Sequence, residues 1–157
     1  MSHDNRFDPR LFDLIPHRPP MLLINNLLEV NETSSSARVI VDEHAPFFEA
    51  GKGVPAWIGL EYMGQTAALI AGHQLQLGKV GPHLGFLLGT RGFKTSHDYF
   101  APGSYNVYCA ETALVGDELA TFNCSIRTTP QNGGEIDCLA TASLSVLRRP
   151  VAPKTAI

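Results

Sequence analysis

Charged residues are scarce in this sequence, and no long run of basic residues occurs in it. They make up 17% of 157 residues, with a net charge of −3. This balance lacks the basic patch that nucleic-acid binding requires. The first ten residues contain no apolar signal region, and no apolar run reaches about 18 residues, so the sequence predicts neither a secretory leader nor a membrane span.

Cysteine is also scarce. The three cysteines, Cys109, Cys124 and Cys138, are odd in number and lack the spacing of a metal site. We predict that they are reduced thiols in the core of a cytoplasmic protein. The sequence has no glycine-rich phosphate loop, and we predict no metal and no cofactor.

A long apolar stretch that begins at Pro55 is the most informative feature present. It predicts a helix over residues 55–77, roughly 30 Å long at 1.5 Å per residue. Apolar or small residues fill nearly every position, which predicts a helix buried on all sides. Glu61 is the one charged residue within residues 53–72, and Gln65 follows one turn later on the same face.

Two interpretations of Glu61 follow from the cost of burying a carboxylate. The side chain could be structural, hydrogen-bonded to backbone or to Gln65. Alternatively, it could be a general acid or base with a raised pKa. The residues alone leave both open.

The last third of the chain predicts an antiparallel sheet. Apolar and polar residues alternate over residues 120–127 and 136–146, with a turn at residues 132–134, and this pattern is typical of strands covered on one face. Further strands are expected over residues 37–41, 84–94 and 105–113. We predict a single α+β domain over residues 1–157, with loose tails at 1–7 and 150–157. In it, one long central helix is wrapped by a curled antiparallel sheet of about six strands, whose edges favour dimerisation.

Several motifs occur in an order found in one family. They are Ile15-Pro16-His17-Arg18 before the first strand, Phe47-Phe48 before the helix, Glu61 and Gln65 within it, and Gly92-Phe93-Lys94 and Pro102-Gly103-Ser104 after it. Over residues 11–148 the chain resembles the hotdog-fold (3R)-hydroxyacyl-acyl-carrier-protein dehydratases. The helix start at residues 55–63 looks closest to the dehydratase-like proteins of aryl-polyene lipid biosynthesis.

The resemblance implies a lyase that dehydrates a 3-hydroxyacyl thioester to the 2-enoyl thioester in fatty-acid-like or polyene biosynthesis. By this resemblance Glu61 sits beside the substrate hydroxyl, and Gln65 orients it or binds a water. Backbone N–H groups near Ala56 and Trp57 would stabilise the thioester oxygen. His17 would face the substrate tunnel.

The resemblance also implies partners and an acyl tunnel. The partners are an acyl carrier protein with phosphopantetheine-linked substrate, and a second hotdog chain in a homodimer or a heterodimer. By position, Met21, Leu23, Phe86 and Phe93 could line the tunnel, although each could equally be ordinary core. Arg18 could likewise be only a surface or loop-anchoring charge.

One departure from the family concerns the base. The family's catalytic histidine stands fourteen residues before the glutamate, where this chain has Phe47, and the loop at residues 49–54 contains no histidine. We rank the candidates as His17 first, a histidine of a partner chain second and His44 third. Two alternatives to an active dehydratase therefore stay open: a catalytically incomplete partner subunit and a hotdog thioesterase.

Overall fold

The computed structural model describes residues 6–81, 83–116, 118–130 and 136–150. Within these residues the helices are α1 (Arg10–Leu14) and α2 (Gly59–Gln76), and a 3₁₀ turn (Ala56–Ile58) leads into α2. The strands are β1 (Asn26–Val30), β2 (Ser34–Val41), β3 (Val54–Pro55), β4 (His83–Thr95), β5 (Tyr99–Phe100), β6 (Gly103–Val115), β7 (Leu119–Thr128) and β8 (Cys138–Pro150).

The main sheet has the order β1-β2-β6-β7-β8-β4, and every neighbouring pair is antiparallel. Strands β3 and β5 form a small second sheet. Alternate residues of β7 and β8, such as Ile126 and Leu144, are fully buried and face α2, because successive side chains of a strand point to opposite faces. The predicted α+β architecture of one long helix and a six-stranded antiparallel sheet is confirmed, and the sheet is not closed.

Helix α2 is buried on one side only. Met63, Leu69 and Ile70 are completely buried, whereas Trp57 in the preceding turn is 60% exposed and Glu61 and Leu75 are also exposed. The prediction of a helix buried on all sides is therefore wrong for a single chain. The physical reason is that the sheet of one chain covers only the side of α2 that faces it.

Strand β8 differs from the sequence pattern at its start. Ile136 lies before the strand and is 55% exposed, and Cys138 is exposed rather than in the core. Cys109 and Cys124 are buried thiols, as predicted. The inward-facing set of β8 ends at Arg148, a charged residue that is only 6% exposed.

Residues 1–5, 151–157 and the predicted turn at 132–134 lie outside the described residues. Within the predicted N-terminal tail, Arg6 forms an ion pair with Asp42, and Phe7 packs against the core. Among the described residues, no helix has the length and apolar content needed to cross a membrane.

Candidate functional site

Gln65 fixes the segment that follows His17 against helix α2. Its side chain is 3% exposed. The Oε1 atom accepts a hydrogen bond of 2.8 Å from the N–H of Leu23, and Nε2 donates one of 2.8 Å to the carbonyl of Met21. Both ends of the amide thus hold backbone. Gln65 therefore positions this segment, and its role beside Glu61 or a water stays a prediction.

Arg18 fixes the backbone on the other side of His17. Its Nη1 donates to the carbonyls of Ile15 at 2.9 Å and His17 at 2.8 Å, and its Nη2 donates to that of Phe12 at 3.0 Å. The guanidinium also lies 4.9 Å from the centroid of the Phe12 ring. This geometry supports the loop-anchoring interpretation of Arg18.

The structure brings His17 and Glu61 within electrostatic reach of each other. Partial burial lowers the pKa of His17, the Glu61 carboxylate acts in the opposite direction, and the Arg18 charge lowers it further. The Nδ1 atom of His17 is buried and has no hydrogen-bond partner among the described residues. At neutral pH the imidazole is therefore neutral and can accept a proton.

The turn before α2 presents fewer free N–H groups than the sequence suggested. The N–H of Ala56 donates to the carbonyl of Asp98 at 2.9 Å, so it is not free to bind a thioester oxygen. The N–H of Trp57 has no acceptor among the described residues, as expected in the first turn of a helix. Of the two predicted donors, only Trp57 is available.

An exposed aromatic pair lies one helical turn from Glu61. The rings of Phe47 and Trp57 meet edge to face with centroids 6.1 Å apart. Phe47 is 46% exposed and has a φ of 68°, a left-handed conformation that is uncommon for a bulky residue. The sequence marked Phe47 as part of the Phe47-Phe48 motif and as the position where the family has its histidine, and nothing in the pattern revealed the contact with Trp57.

The other candidates have separate environments. Met21 is 60% exposed, Leu23 is buried, and Phe93 is half-buried against the core. The side chain of Phe86 lies outside the described part of the chain. His44 is exposed and its Nε2 lies 3.3 Å from Glu43, so its partner is a neighbouring surface acid.

Within the described residues, no group of three or more His, Cys, Asp or Glu side chains could hold a metal ion. The polar groups near Glu61 are instead the His17 imidazole and the free N–H of Trp57. A neutral base beside a carboxylate, with a backbone donor one turn away, suits the movement of protons on a bound carbonyl compound.

The sheet wrapped around one long helix defines a hotdog-fold protein. The chain belongs to the ApeP-like family, because the family model described as ApeP dehydratase matches residues 9–156. No curated protein matches the sequence.

Solved structures show the same fold. This chain is similar to one from the dehydratase heterocomplex ApeI:P of Xenorhabdus doucetiae, with a TM-score of 0.74, 22% identity, and coverage of 90% of this chain and 91% of that chain. For a thioesterase family protein from Silicibacter pomeroyi the TM-score is 0.67 and the identity 10%, with coverage of 90% of this chain and 97% of that chain. For a hypothetical thioesterase with coenzyme A from Streptococcus pneumoniae the TM-score is 0.57 and the identity 9%, with coverage of 80% of this chain and 88% of that chain. At these identities the likenesses show the fold alone.

Proposed function

We propose that this chain dehydrates a 3-hydroxyacyl thioester, carried on an acyl carrier protein, to the 2-enoyl thioester. The observation that carries the proposal is the neutral His17 imidazole beside the Glu61 carboxylate on the open side of α2. Membership of a dehydratase family supports the reaction type. The family supports a dehydratase, and the substrate linked to an acyl carrier protein is the more specific part of what we propose.

The two side chains divide the elimination between them. The reaction removes a proton from C2 and the hydroxyl from C3 of the substrate. His17 takes the C2 proton, and the C2–C3 double bond forms as the bond between C3 and the hydroxyl oxygen breaks. The Glu61 carboxylate accepts this proton from the imidazolium and passes it to the departing hydroxyl, which leaves as water, so His17 is again neutral and Glu61 again ionised. The N–H of Trp57 would stabilise the charge that develops on the thioester oxygen.

A second hotdog chain completes the site in this proposal. Glu61 lies on the uncovered face of α2, and β4 is at the edge of the sheet with Leu87 and Leu88 exposed. An exposed strand of this length favours pairing with another chain. The similar chain from a dehydratase heterocomplex supports another dehydratase as the partner. A partner histidine remains the second candidate for the base.

The experiment compares Glu61→Gln with the wild type, alone and with a candidate hotdog dehydratase partner. We expect a loss of at least about 10²-fold in enoyl-thioester formation, because the titrating carboxyl is deleted. The melting temperature should stay the same, since Glu61 is exposed. Glu29→Gln, which changes an exposed acid of β1, is the matched control.

Unchanged turnover by Glu61→Gln would reject the catalytic role of this residue. Loss on His17→Ala supports His17 as the base, whereas loss only on changing a histidine of the partner makes this chain an incomplete subunit. Release of free thiol without alkene formation would indicate the thioesterase alternative, whose support is the fold of the thioesterase neighbours.

A further inference from the structure

A cavity separate from the Glu61 site lies between the segment after His17, the loop after β2 and helix α2. Its volume is about 440 Å³, within the range of small-molecule sites. The surface of the cavity is mostly apolar, and the apolar residues that line it include Phe7, Pro19, Leu22, Leu23, Ile40 and Pro46. Neither Glu61 nor His17 lines the cavity.

The cavity does not depend on a partner chain at β4. It opens beside β1 and β2, which form the opposite edge of the sheet from β4. Ile40 of β2 and Asn25, which directly precedes β1, form part of its wall. The Nδ2 of Asn25 donates to the carbonyl of Arg6, and its Oδ1 accepts from the N–H of Ile40, so this wall is fixed within one chain.

Tyr62 supplies a polar group to this wall. The residue is 2% exposed, and its ring lies 5.8 Å from that of Phe100. Tyr62 lines the cavity, and its hydroxyl is not among the fully buried unpaired polar atoms of the described residues. Burial raises the pKa of the Tyr62 phenol, so the hydroxyl stays protonated. A single hydroxyl on a mostly apolar wall is the kind of group that fixes the orientation of a bound small molecule.

The charges around the opening compensate each other. Arg6 uses one nitrogen, Nη2, to bind both carboxylate oxygens of Asp42 at 2.8 and 2.9 Å. His44 is paired with Glu43, and its backbone N–H also donates to Asp42. These pairs leave no excess positive charge for an anion. The opening therefore favours an uncharged ligand over a carboxylate or phosphate.

From the cavity, its apolar walls and the Tyr62 hydroxyl, we propose that it binds a small uncharged apolar molecule that carries one hydroxyl or carbonyl oxygen. The apolar body contacts Pro19, Leu22 and Leu23, and the oxygen forms a hydrogen bond with Tyr62. Leu23, one of the residues predicted to line the acyl tunnel, also lines this cavity. The proposal is tested by binding rather than turnover, so it holds whether or not the dehydration is confirmed.

The test is a titration of the full chain with benzyl alcohol, followed by amide chemical shifts in two-dimensional NMR. We expect saturating changes at Leu22, Leu23, Ile40, Ala45 and Tyr62. Benzoate has the same ring with a charge, and toluene has no oxygen. Toluene should bind about tenfold more weakly, because the loss of one hydrogen bond is worth roughly this factor. Benzoate should bind at least about tenfold more weakly, because no free positive charge at the opening compensates the desolvation of its carboxylate.

Three variants separate the parts of the proposal. Tyr62→Phe should weaken benzyl alcohol about tenfold and leave toluene unchanged. Ala45→Trp should fill the cavity and abolish both. Tyr105→Phe is the control, because the Tyr105 hydroxyl donates to the carbonyl of Ala101 and does not line the cavity. Each variant is first checked for native shift dispersion.

The proposal is overturned by any of four results. These are an absence of shifts around the cavity up to the solubility limit of benzyl alcohol, equal binding by Tyr62→Phe, equal binding by Ala45→Trp, and tighter binding of benzoate than of benzyl alcohol. The localised and saturable pattern, lost in the two cavity variants and kept in the control, supports it.

Discussion

At the scale of single residues, the environment of His17 decides how the proposed site responds to pH. Burial holds the pKa of His17 below its ordinary value of 6.5, while Glu61 acts to raise it. The imidazole is therefore neutral at neutral pH and available as a base. In a plot of rate against pH, the loss of activity towards acid should begin only below about pH 6.5.

We predict that an NMR titration of His17 gives a midpoint below 6.5, and that Glu61→Gln lowers this midpoint further, because it removes the charge that raises the pKa. The free energy of unfolding should also depend on pH through His17. As the pH falls from 6.5 through the folded pKa, the unfolded chain binds more protons, so stability decreases and then levels. Glu29→Gln should leave the midpoint unchanged. A midpoint insensitive to Glu61→Gln would mean that the two side chains are not neighbours.

Arg148 is a second residue with a measurable consequence. Its Nη1 lies 3.3 Å from Oε1 of Gln74, and its Nη2 lies 3.7 Å from the nearly buried carboxylate of Glu111. We predict that Arg148→Ala costs about 3–5 kcal/mol of unfolding free energy, because it leaves Glu111 without its counter-charge. Denaturant unfolding measures this loss. The double change Arg148→Met with Glu111→Leu should recover most of it, and a double variant as unstable as the single one would contradict the explanation.

At the scale of elements, the contact between α1 and α2 sets the position of the segment that carries His17. Gly72 of α2 faces the end of α1 so closely that a Cβ atom would overlap the carbonyl oxygen of Leu14. The helices approach this closely only because the side chain is absent. The segment with His17 begins immediately after α1.

We predict that Gly72→Ala lowers the unfolding free energy by about 1–3 kcal/mol, because the added methyl group pushes the two helices apart. Gly64→Ala is the matched control in the same helix, since a Cβ there meets nothing within 4 Å. It should raise stability by roughly 0.5–1 kcal/mol through helix propensity. Equal effects of the two changes on the melting temperature of the chain would disprove the contact.

At the scale of the whole molecule, the exposed edge of β4 predicts association. Leu88 is 58% exposed and stands at an irregularity in the pairing of β4 with β8, so its replacement leaves that ladder intact. We predict that Leu88→Asp weakens the association with a second hotdog chain at least about tenfold, because it places a charge in the pairing surface. Analytical ultracentrifugation measures the change.

Ile136→Asp is the control for this experiment, since Ile136 is similarly exposed, at 55%, but precedes β8 and takes no part in the β4–β8 ladder. Both variants should keep the circular dichroism of the wild type. A stable monomer of about 17 kDa in the wild type, with and without the candidate partner, would refute the prediction of association.

The sequence predicted the architecture because the patterns that carry it are local. The alternation along β7 and the apolar residues of α2 are visible within one element, and Glu61 stood out as a lone charge. Contacts between residues far apart in the sequence were not visible in these local patterns. Gln65 holds Leu23, which lies 42 positions away, and the N–H of Ala56 is taken by Asp98. Periodicity also gives no sign of whether a helix face is covered by its own sheet or by another chain.

The outward position of Glu61 has a consequence for kinetics. If a second chain completes the site, the catalytic unit is the assembled pair, and a dilute chain contains almost none of it. Turnover is then second order in protein at low concentration and becomes first order once the pair is saturated. The ratio in which the two chains are synthesised would therefore set the flux through the reaction, with no effector molecule involved.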